Sequence, residues 1–225
     1  MGEALRAEAG KAATALVEPG MRLGIGSGRT VQAFLAALAP RMQGGWRLAA
    51  ACASVESAQA ARRVGIEVLA EEEVGQLDLA IDGADLLTPQ LDCLKGLGGA
   101  LARERLVALG ARRFVVIAEE SKLRADLRGV RVPVEVLAFA HRDTAKRIAG
   151  LGMKPVLRIS AQGAPCRTDN GNVIYDCASS PAPLPQDLER ALCATAGVVA
   201  TGYFLGMAHE AILAGPEGVR RIARH

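Results

Sequence analysis

Two carboxylates, a lysine and a run of glycines follow one apolar stretch of the chain. Asp82 and Asp85 lie in the segment IDGAD, Lys95 precedes the glycine-rich residues 96–99, and Glu104 follows in ALARERL. A carboxylate can move a proton, and a lysine beside glycine N–H groups can stabilise the negative charge that develops on an oxygen. Together these residue types indicate proton transfer on a small anionic substrate.

Each of these residues also has an ordinary structural interpretation. A single Asp after a strand usually forms a turn or caps a helix, Lys95 alone would be a solvated surface charge, and Glu104 alone would pair with a neighbouring arginine on its helix. Their combination within one short segment favours a site. The backbone expected to approach the substrate there belongs to Gly83, Ala84, Gly96, Leu97 and Gly98.

A second glycine-rich turn, GIGSGRT, precedes a helical pattern. Gly28 allows close backbone approach, the helix N-terminus carries partial positive charge, and Ser27, Arg29 and Thr30 add donors, which suits a phosphate. A tight turn in which Thr30 caps the helix explains the same residues equally well. Phosphate-loop and dinucleotide motifs are excluded, because no lysine follows Gly28 and Arg29 stands where the third glycine is needed.

Apolar runs alternate with helical patterns up to residue 130, which predicts a mostly parallel sheet with helices on both faces. The predicted helices include residues 3–17 and 30–38. The segments GIGSGRT, IDGAD and AEESK each follow an apolar run. Because ligands bind at the carboxyl ends of such strands, we expect the three segments to meet at one edge of the sheet. Lys122, in AEESK, is either a contact to the anion or a surface lysine.

The pattern changes after Val130 to the order β-α-β-β-α-β, which is typical of a ferredoxin-like unit. The expected organisation is one domain of residues 1–130 with 206–225, and a smaller α+β domain of residues 131–205. GVVATGYF is predicted as the last strand of the smaller domain, and TDNGN as a structural hairpin turn.

The composition narrows the function classes. The 225 residues carry a formal charge of only +3, with scattered basic residues and 3% aromatics, which argues against nucleic-acid binding. The N-terminal residues have the pattern of an amphipathic helix, so we expect no signal peptide, and the absence of about 18 consecutive apolar residues predicts no membrane span. Five cysteines without a CxxC pair and three histidines give no zinc pattern. We expect a cytoplasmic protein without a metal or a membrane partner.

The motifs GIGSGRTVQAF, IDGAD, LKGLGGALARERLVA, AEESK, VPVEV, TDNGN and GVVATGYF, in this order, resemble type A ribose-5-phosphate isomerase over essentially the whole chain. The resemblance implies an aldose–ketose isomerase of the non-oxidative pentose phosphate pathway. It would interconvert ribose 5-phosphate and ribulose 5-phosphate without a cofactor. The resemblance also implies a Rossmann-like domain with a smaller α+β domain, assembled as a homodimer or homotetramer.

The resemblance also implies roles for individual residues. Glu104 would be the general base that moves a proton between C1 and C2 through a cis-enediolate. Lys95 would stabilise the enediolate oxygens, and Asp82, with Asp85 beside it, would open the furanose ring. The substrate contacts implied are the hydroxyls of Ser27 and Thr30 and the ammonium of Lys122.

The chain departs from the family pattern in its serine-rich stretch, reduced to CASVES at residues 52–57, and at three single positions. Arg29 replaces a small hydroxyl residue, Leu86 replaces a carboxylate, and Leu97 replaces a glycine. The four residues expected to do the chemistry are retained, so we expect activity. The alternatives are a non-catalytic sugar-phosphate sensor on the same fold and an isomerase for another phosphorylated sugar.

Overall fold

Six α-helices and fourteen strands lie within residues 2–224, the residues that the computed structural model describes. Met1 and His225, which end the predicted domain ranges, lie outside the described residues. The helices are α1 (Gly2–Ala13), α2 (Arg29–Gln43), α3 (Val55–Arg63), α4 (Leu101–Leu109), α5 (His141–Gly150) and α6 (Pro185–Cys193). The strands are β1 (Arg22–Ile25), β2 (Ala49–Cys52), β3 (Glu67–Val68), β4 (Leu77–Asp82), β5 (Leu86–Leu87), β6 (Cys93–Leu94), β7 (Ala111–Glu119), β8 (Arg131–Val136), β9 (Lys154–Leu157), β10 (Val173–Ala178), β11 (Val198–Thr201), β12 (Tyr203–Phe204), β13 (Glu210–Gly215) and β14 (Gly218–Ala223).

The largest sheet has the strand order β14-β13-β7-β4-β1-β2-β3. All neighbours in it are parallel except the terminal hairpin β13–β14. Read from β3 to β13, the order is that of a Rossmann-like fold. Helices α1, α2 and α3 cover one apolar face of the sheet and α4 covers the other. The predicted mostly parallel sheet is confirmed, and β1, β4 and β7 are adjacent, so the loops after them meet at one edge.

Two helices differ in length from the prediction. Helix α2 continues past Leu38 to Gln43, because Leu38 and Met42 extend its buried face, and it carries Pro40 within its last turns. Helix α1 ends at Ala13, and a 3-10 turn follows it at Thr14–Leu16. The predicted end of that helix at residue 17 was therefore too late.

The second sheet is antiparallel, with the order β11-β8-β10-β9. Helices α5 and α6 bury Ile148, Leu188 and Leu192 against it. This is the ferredoxin-like arrangement that the order of elements predicted. The division of the chain into two domains at these residue numbers stays a prediction.

A third sheet, with the order β12-β6-β5, was not predicted. The segment GVVATGYF, expected to be one strand, divides at Gly202 into β11 and β12. The N–H of Lys95 donates to the carbonyl oxygen of Gly202 at 2.8 Å. A Cβ on Gly202 would lie 2.4 Å from the Lys95 carbonyl oxygen, so only glycine permits this approach. The third sheet therefore fixes the backbone at Lys95.

A buried carboxylate organises the TDNGN turn. Glu135, on β8, is fully buried, and its Oε1 accepts hydrogen bonds from three side chains of the turn. The donors are Thr168 Oγ1 at 2.9 Å, Asn170 Nδ2 at 3.1 Å and Asn172 Nδ2 at 2.8 Å. Since Thr168 and Asn172 are buried and these donors would otherwise lack an acceptor, Glu135 holds the turn in one conformation.

The same turn contacts the elements around the larger sheet. Asp169 Oδ2 accepts the N–H of Val55 at the start of α3, at 2.9 Å. Asn170 Oδ1 accepts from Arg103 Nε on α4, at 2.7 Å. The turn thus connects the second sheet to α3 and α4, a role that the hairpin prediction did not include.

Replacing Glu135 with Ala should lower the free energy of unfolding by about 2–4 kcal/mol, because three donors lose their acceptor. Glu67→Ala is the matched control, since Glu67 is an exposed strand glutamate and its loss should cost less than about 0.5 kcal/mol. Urea unfolding of both variants measures the difference. Equal midpoints for the two variants would contradict the role given to Glu135.

Candidate active site

A cleft of about 440 Å³ lies at the carboxyl ends of β1, β4 and β7. The predicted site residues, except Asp82, line it together. The lining residues are Arg6, Ser27, Gly28, Arg29, Thr30, Gly83, Ala84, Asp85, Lys95, Gly96, Leu97, Gly98, Glu104, Glu119, Ser121 and Lys122. A larger hollow of about 910 Å³ contains none of the predicted residues in its wall. The loops thus converge as the strand order requires.

Asp82, Lys95 and Glu104 form a buried charge cluster at the base of the cleft. Their exposed fractions are only 3%, 3% and 6%. Lys95 Nζ lies 2.8 Å from Asp82 Oδ2 and 3.5 Å from Glu104 Oε2, and it donates to the carbonyl oxygen of Gly83 at 2.6 Å. Within residues 2–224, Glu104 Oε2 makes no hydrogen bond. That oxygen is therefore free to accept a proton.

Burial and charge shift the pKa values of this cluster. Burial raises the pKa of Glu104 above its usual 4.5; the Lys95 ammonium opposes this shift, and the Asp82 and Asp85 carboxylates add to it. Burial alone would lower the pKa of Lys95, but the carboxylates of Asp82 and Glu104 outweigh it and raise that pKa above 10.5. The result is a carboxylate with increased basicity beside a lysine that stays charged.

Asp82 contacts Lys95 but does not line the cleft, and backbone groups hold its carboxylate. Its Oδ1 accepts the N–H groups of Ser27 at 3.1 Å and Gly83 at 2.7 Å. A Cβ on Gly26 would lie 1.9 Å from Asp82 Cγ, so glycine is required there. Asp82 therefore joins the two loops and orients Lys95.

The start of α2 also lies on the cleft. Gly28 is the N-cap residue, with φ +89°, and no side chain caps the helix. The capping role considered for Thr30 is thus absent, and the first N–H groups of α2 remain available to a ligand. With the guanidinium of Arg29 and the ammonium of Lys122 on the same cleft, this end suits a phosphate.

Sequence reasoning missed three residues of the cleft: Arg6, Glu119 and Ser121. Arg6 Nη1 pairs with Glu119 Oε1 at 2.8 Å across 113 residues of sequence. Glu119 and Ser121 lie within the AEESK motif and could have been included with Lys122. No local signal marks Arg6, because its position depends on how α1 packs beside β7.

The residues that the structure describes, 2–224, contain no group of three or more His, Cys, Asp or Glu side chains placed to hold a metal ion. In the same range, no helix combines the length and apolar character needed to cross a membrane.

Comparison with known proteins places the chain in a family. The family model for ribose 5-phosphate isomerase A (phosphoriboisomerase A) matches residues 49–218. The chain belongs to the ribose 5-phosphate isomerase A family. The predictions of the family, the fold class and an isomerase are confirmed, and the comparisons give no support to a non-catalytic sensor.

Relatives of this family cover nearly the whole chain. Ribose-5-phosphate isomerase A of Roseiflexus castenholzii is 44% identical over 218 residues, which are 95% of this chain and 93% of the relative. Its counterpart in Thermomicrobium roseum is 44% identical over 225 residues, 99% of this chain and 94% of the relative.

Solved structures of the family agree with the fold. Ribose 5-phosphate isomerase A from Methanocaldococcus jannaschii has a TM-score of 0.91 at 30% identity, covering 98% of this chain and 99% of that one. A D-ribose-5-phosphate isomerase in complex with phospho-erythronic acid has a TM-score of 0.93 at 30% identity and covers 100% of both chains.

Proposed function

We propose that the cleft interconverts ribose 5-phosphate and ribulose 5-phosphate through a cis-enediolate. One observation carries the proposal: Glu104 presents a carboxylate oxygen that, within residues 2–224, accepts no hydrogen bond and lies 3.5 Å from the Lys95 ammonium, in a cleft that also contains an uncapped helix start. A base, a cation for the developing oxyanion and a phosphate anchor are the groups that this reaction needs.

Glu104 performs the proton transfer in this proposal. Its carboxylate removes the proton from C2 of the open-chain aldose, and the C2–H electrons form the C1=C2 double bond of the enediolate while the carbonyl electrons move onto O1. The proton on O2 then passes to O1, and the protonated Glu104 returns a proton to C1 as the C2=O bond forms. One base serves both carbons, because they are adjacent and face the same carboxylate.

Lys95 stabilises the intermediate. Its ammonium stays protonated because Asp82 and Glu104 raise its pKa, so it can meet negative charge on O1 and O2 without losing its proton. In this proposal Asp82, with Asp85 beside it, is the acid that opens the furanose ring. The support is that Asp85 lines the cleft and Asp82 contacts Lys95 directly.

The phosphate end positions the substrate. In this proposal the N–H groups at the start of α2 and the hydroxyls of Ser27 and Thr30 donate hydrogen bonds to the phosphate, with Arg29 and Lys122 as counter-charges. Gly83, Ala84, Gly96, Leu97 and Gly98 would contact the sugar through the backbone. Binding energy from the phosphate then holds the reacting carbons against Glu104.

The raised pKa of Glu104 predicts the pH dependence of catalysis. Glu104 must be a carboxylate to act, and the deprotonated fraction grows with pH, so kcat/KM should still be rising above pH 4.5 and into the neutral range. Rates for ribose 5-phosphate between pH 5 and pH 10 measure this. The substrate phosphate ionises near pH ~6, so inhibition by inorganic phosphate over the same range is the control. A flat profile after that correction would contradict the raised pKa.

The direct test of the proposed function is to follow ribose 5-phosphate by NMR with purified protein. We expect the ketose signals of ribulose 5-phosphate to appear, and arabinose 5-phosphate, tested in parallel, to react more slowly. Tight binding of ribose 5-phosphate without any conversion would refute the proposal.

We further propose a homodimer or homotetramer in the cytoplasm. The family resemblance supports the assembly, and the five cysteines, all of which are free thiols, support a reducing compartment. Light scattering after size-exclusion chromatography measures the assembly, and a monomer would refute that part of the proposal.

A further inference from the structure

The glycine-rich loop after Lys95 lies on the cleft, with Gly96, Leu97 and Gly98 in its wall. Gly96 and Gly99 have φ angles of +99° and +86°, and the Gly99 N–H donates to the Gly96 carbonyl oxygen at 3.1 Å, which closes a tight turn. Leu97 N–H donates to Asp85 Oδ2 at 2.9 Å. In the part of the chain that the structure describes, Gly98 N–H has no protein acceptor.

A single side chain from the second sheet holds the other side of this loop. Arg158, which follows β9, donates from Nη1 to the carbonyl oxygens of Gly96 at 3.0 Å and Leu97 at 3.1 Å. Its Nε and Nη2 donate to the two carboxylate oxygens of Asp176 on β10, at 3.0 and 2.5 Å. Both side chains are mostly buried, so the guanidinium is fixed in one orientation.

Peptide geometry links these carbonyl contacts to the N–H groups at the cleft. In a trans peptide, the C=O and N–H bonds point in opposite directions. The Gly96 carbonyl shares its peptide plane with Leu97 N–H, and the Leu97 carbonyl shares its plane with Gly98 N–H. By holding both carbonyls, Arg158 determines the direction of both N–H groups, in a glycine loop that could otherwise rotate.

The charge of Arg158 does not act directly on the substrate. Asp176 neutralises the guanidinium through two hydrogen bonds, and neither residue lines the cleft. Its effect on the cleft is therefore geometric.

We propose that Arg158 is a positioning residue for catalysis, which aims Gly98 N–H at the oxyanion of the enediolate. This inference rests on the proposed function. Loss of the hydrogen bonds from Arg158 to the loop carbonyls should lower kcat by about tenfold. This is less than the ~10²–10³-fold effect of removing an oxyanion donor outright. KM should change little, because the phosphate contacts lie at the start of α2.

The test compares Arg158→Lys and Arg158→Ala with the wild type. Arg158→Lys keeps the positive charge but loses the planar fork, so it should lower kcat while the melting temperature stays close to that of the wild type. Arg167→Ala is the matched control, since Arg167 lies between the same two strands and donates to Gly171 instead of the cleft loop. Should Arg158→Ala fail to fold, Arg158→Lys carries the same comparison.

Ligand affinities distinguish a positioning role of Arg158 from a general disruption of the cleft. Phospho-erythronic acid carries a carboxylate where the enediolate oxygens form, so Arg158→Lys should weaken its binding while the affinity for inorganic phosphate stays unchanged. Unchanged kcat and unchanged phospho-erythronic acid affinity in a folded Arg158→Lys protein would overturn the inference, as would an equal loss for both ligands. If the wild type failed to turn over ribose 5-phosphate, the proposed function would fall, while the binding comparison would still decide the role of Arg158.

Discussion

Replacing Glu104 with Gln is expected to lower kcat for ribose 5-phosphate by ~10²–10⁴-fold, with little change in KM. Gln has nearly the same shape as Glu but cannot take the C2 proton. The proposed phosphate contacts belong to other residues, at the start of α2, so ground-state binding should persist. Because Asp82 still pairs with Lys95 at 2.8 Å, loss of the Glu104 charge leaves the buried ammonium with a counter-charge, and the fold should tolerate the amide.

Steady-state kinetics of Glu104→Gln test this directly. Glu67→Gln is the control, because Glu67 is exposed on β3 and far from the cleft in sequence and sheet position. Glu104→Gln with at least a tenth of the wild-type kcat would show that another group carries the proton.

Replacing Lys95 with Met is expected to damage both catalysis and stability. Loss of the ammonium removes the cation at the enediolate oxygens and should lower kcat by ~10²–10³-fold. It also leaves the buried carboxylates of Asp82 and Glu104 without their counter-charge, which should cost about 3–5 kcal/mol of unfolding free energy. Since the folded-state pKa of Lys95 is raised, its contribution is fully present below pH 10.5 and is lost only as pH rises through the raised value.

A double variant separates the two effects of Lys95. Adding Glu104→Gln to Lys95→Met removes one of the unpaired carboxylates, so the double variant should regain part of the stability but none of the activity. The exposed Lys154→Met on β9 is the control and should behave as the wild type. A Lys95→Met protein with wild-type stability and kcat would contradict the role of the buried cluster.

The sequence was sufficient to predict which loops meet at one edge of the sheet. GIGSGRT, IDGAD and AEESK each follow a strand of adequate length, and adjacent parallel strands place their carboxyl ends together. The third sheet could not be predicted, because its strands have two residues each and show no periodicity. One of them, Tyr203–Phe204, pairs with Cys93–Leu94 from more than a hundred positions away.

The chemical residues were identified by type, but their arrangement was not. The sequence could not show that Asp82 lies behind Lys95, because this depends on the absence of a Cβ at Gly26. Arg6 and Arg158 were missed for a related reason. Tertiary packing brings Arg6 to the cleft and Arg158 to the loop beside it, and each resembles an ordinary surface arginine in its local sequence.

Deuterium incorporation tests the central claim, the transfer of a proton by Glu104, most directly. Ribose 5-phosphate is incubated with the protein in D₂O beyond equilibrium, and the sugar phosphates are examined by NMR. The account predicts deuterium at C1 of ribulose 5-phosphate and at C2 of ribose 5-phosphate, with both exchange and conversion lost in Glu104→Gln. Exchange and conversion that persist in Glu104→Gln at the wild-type rate would contradict the account.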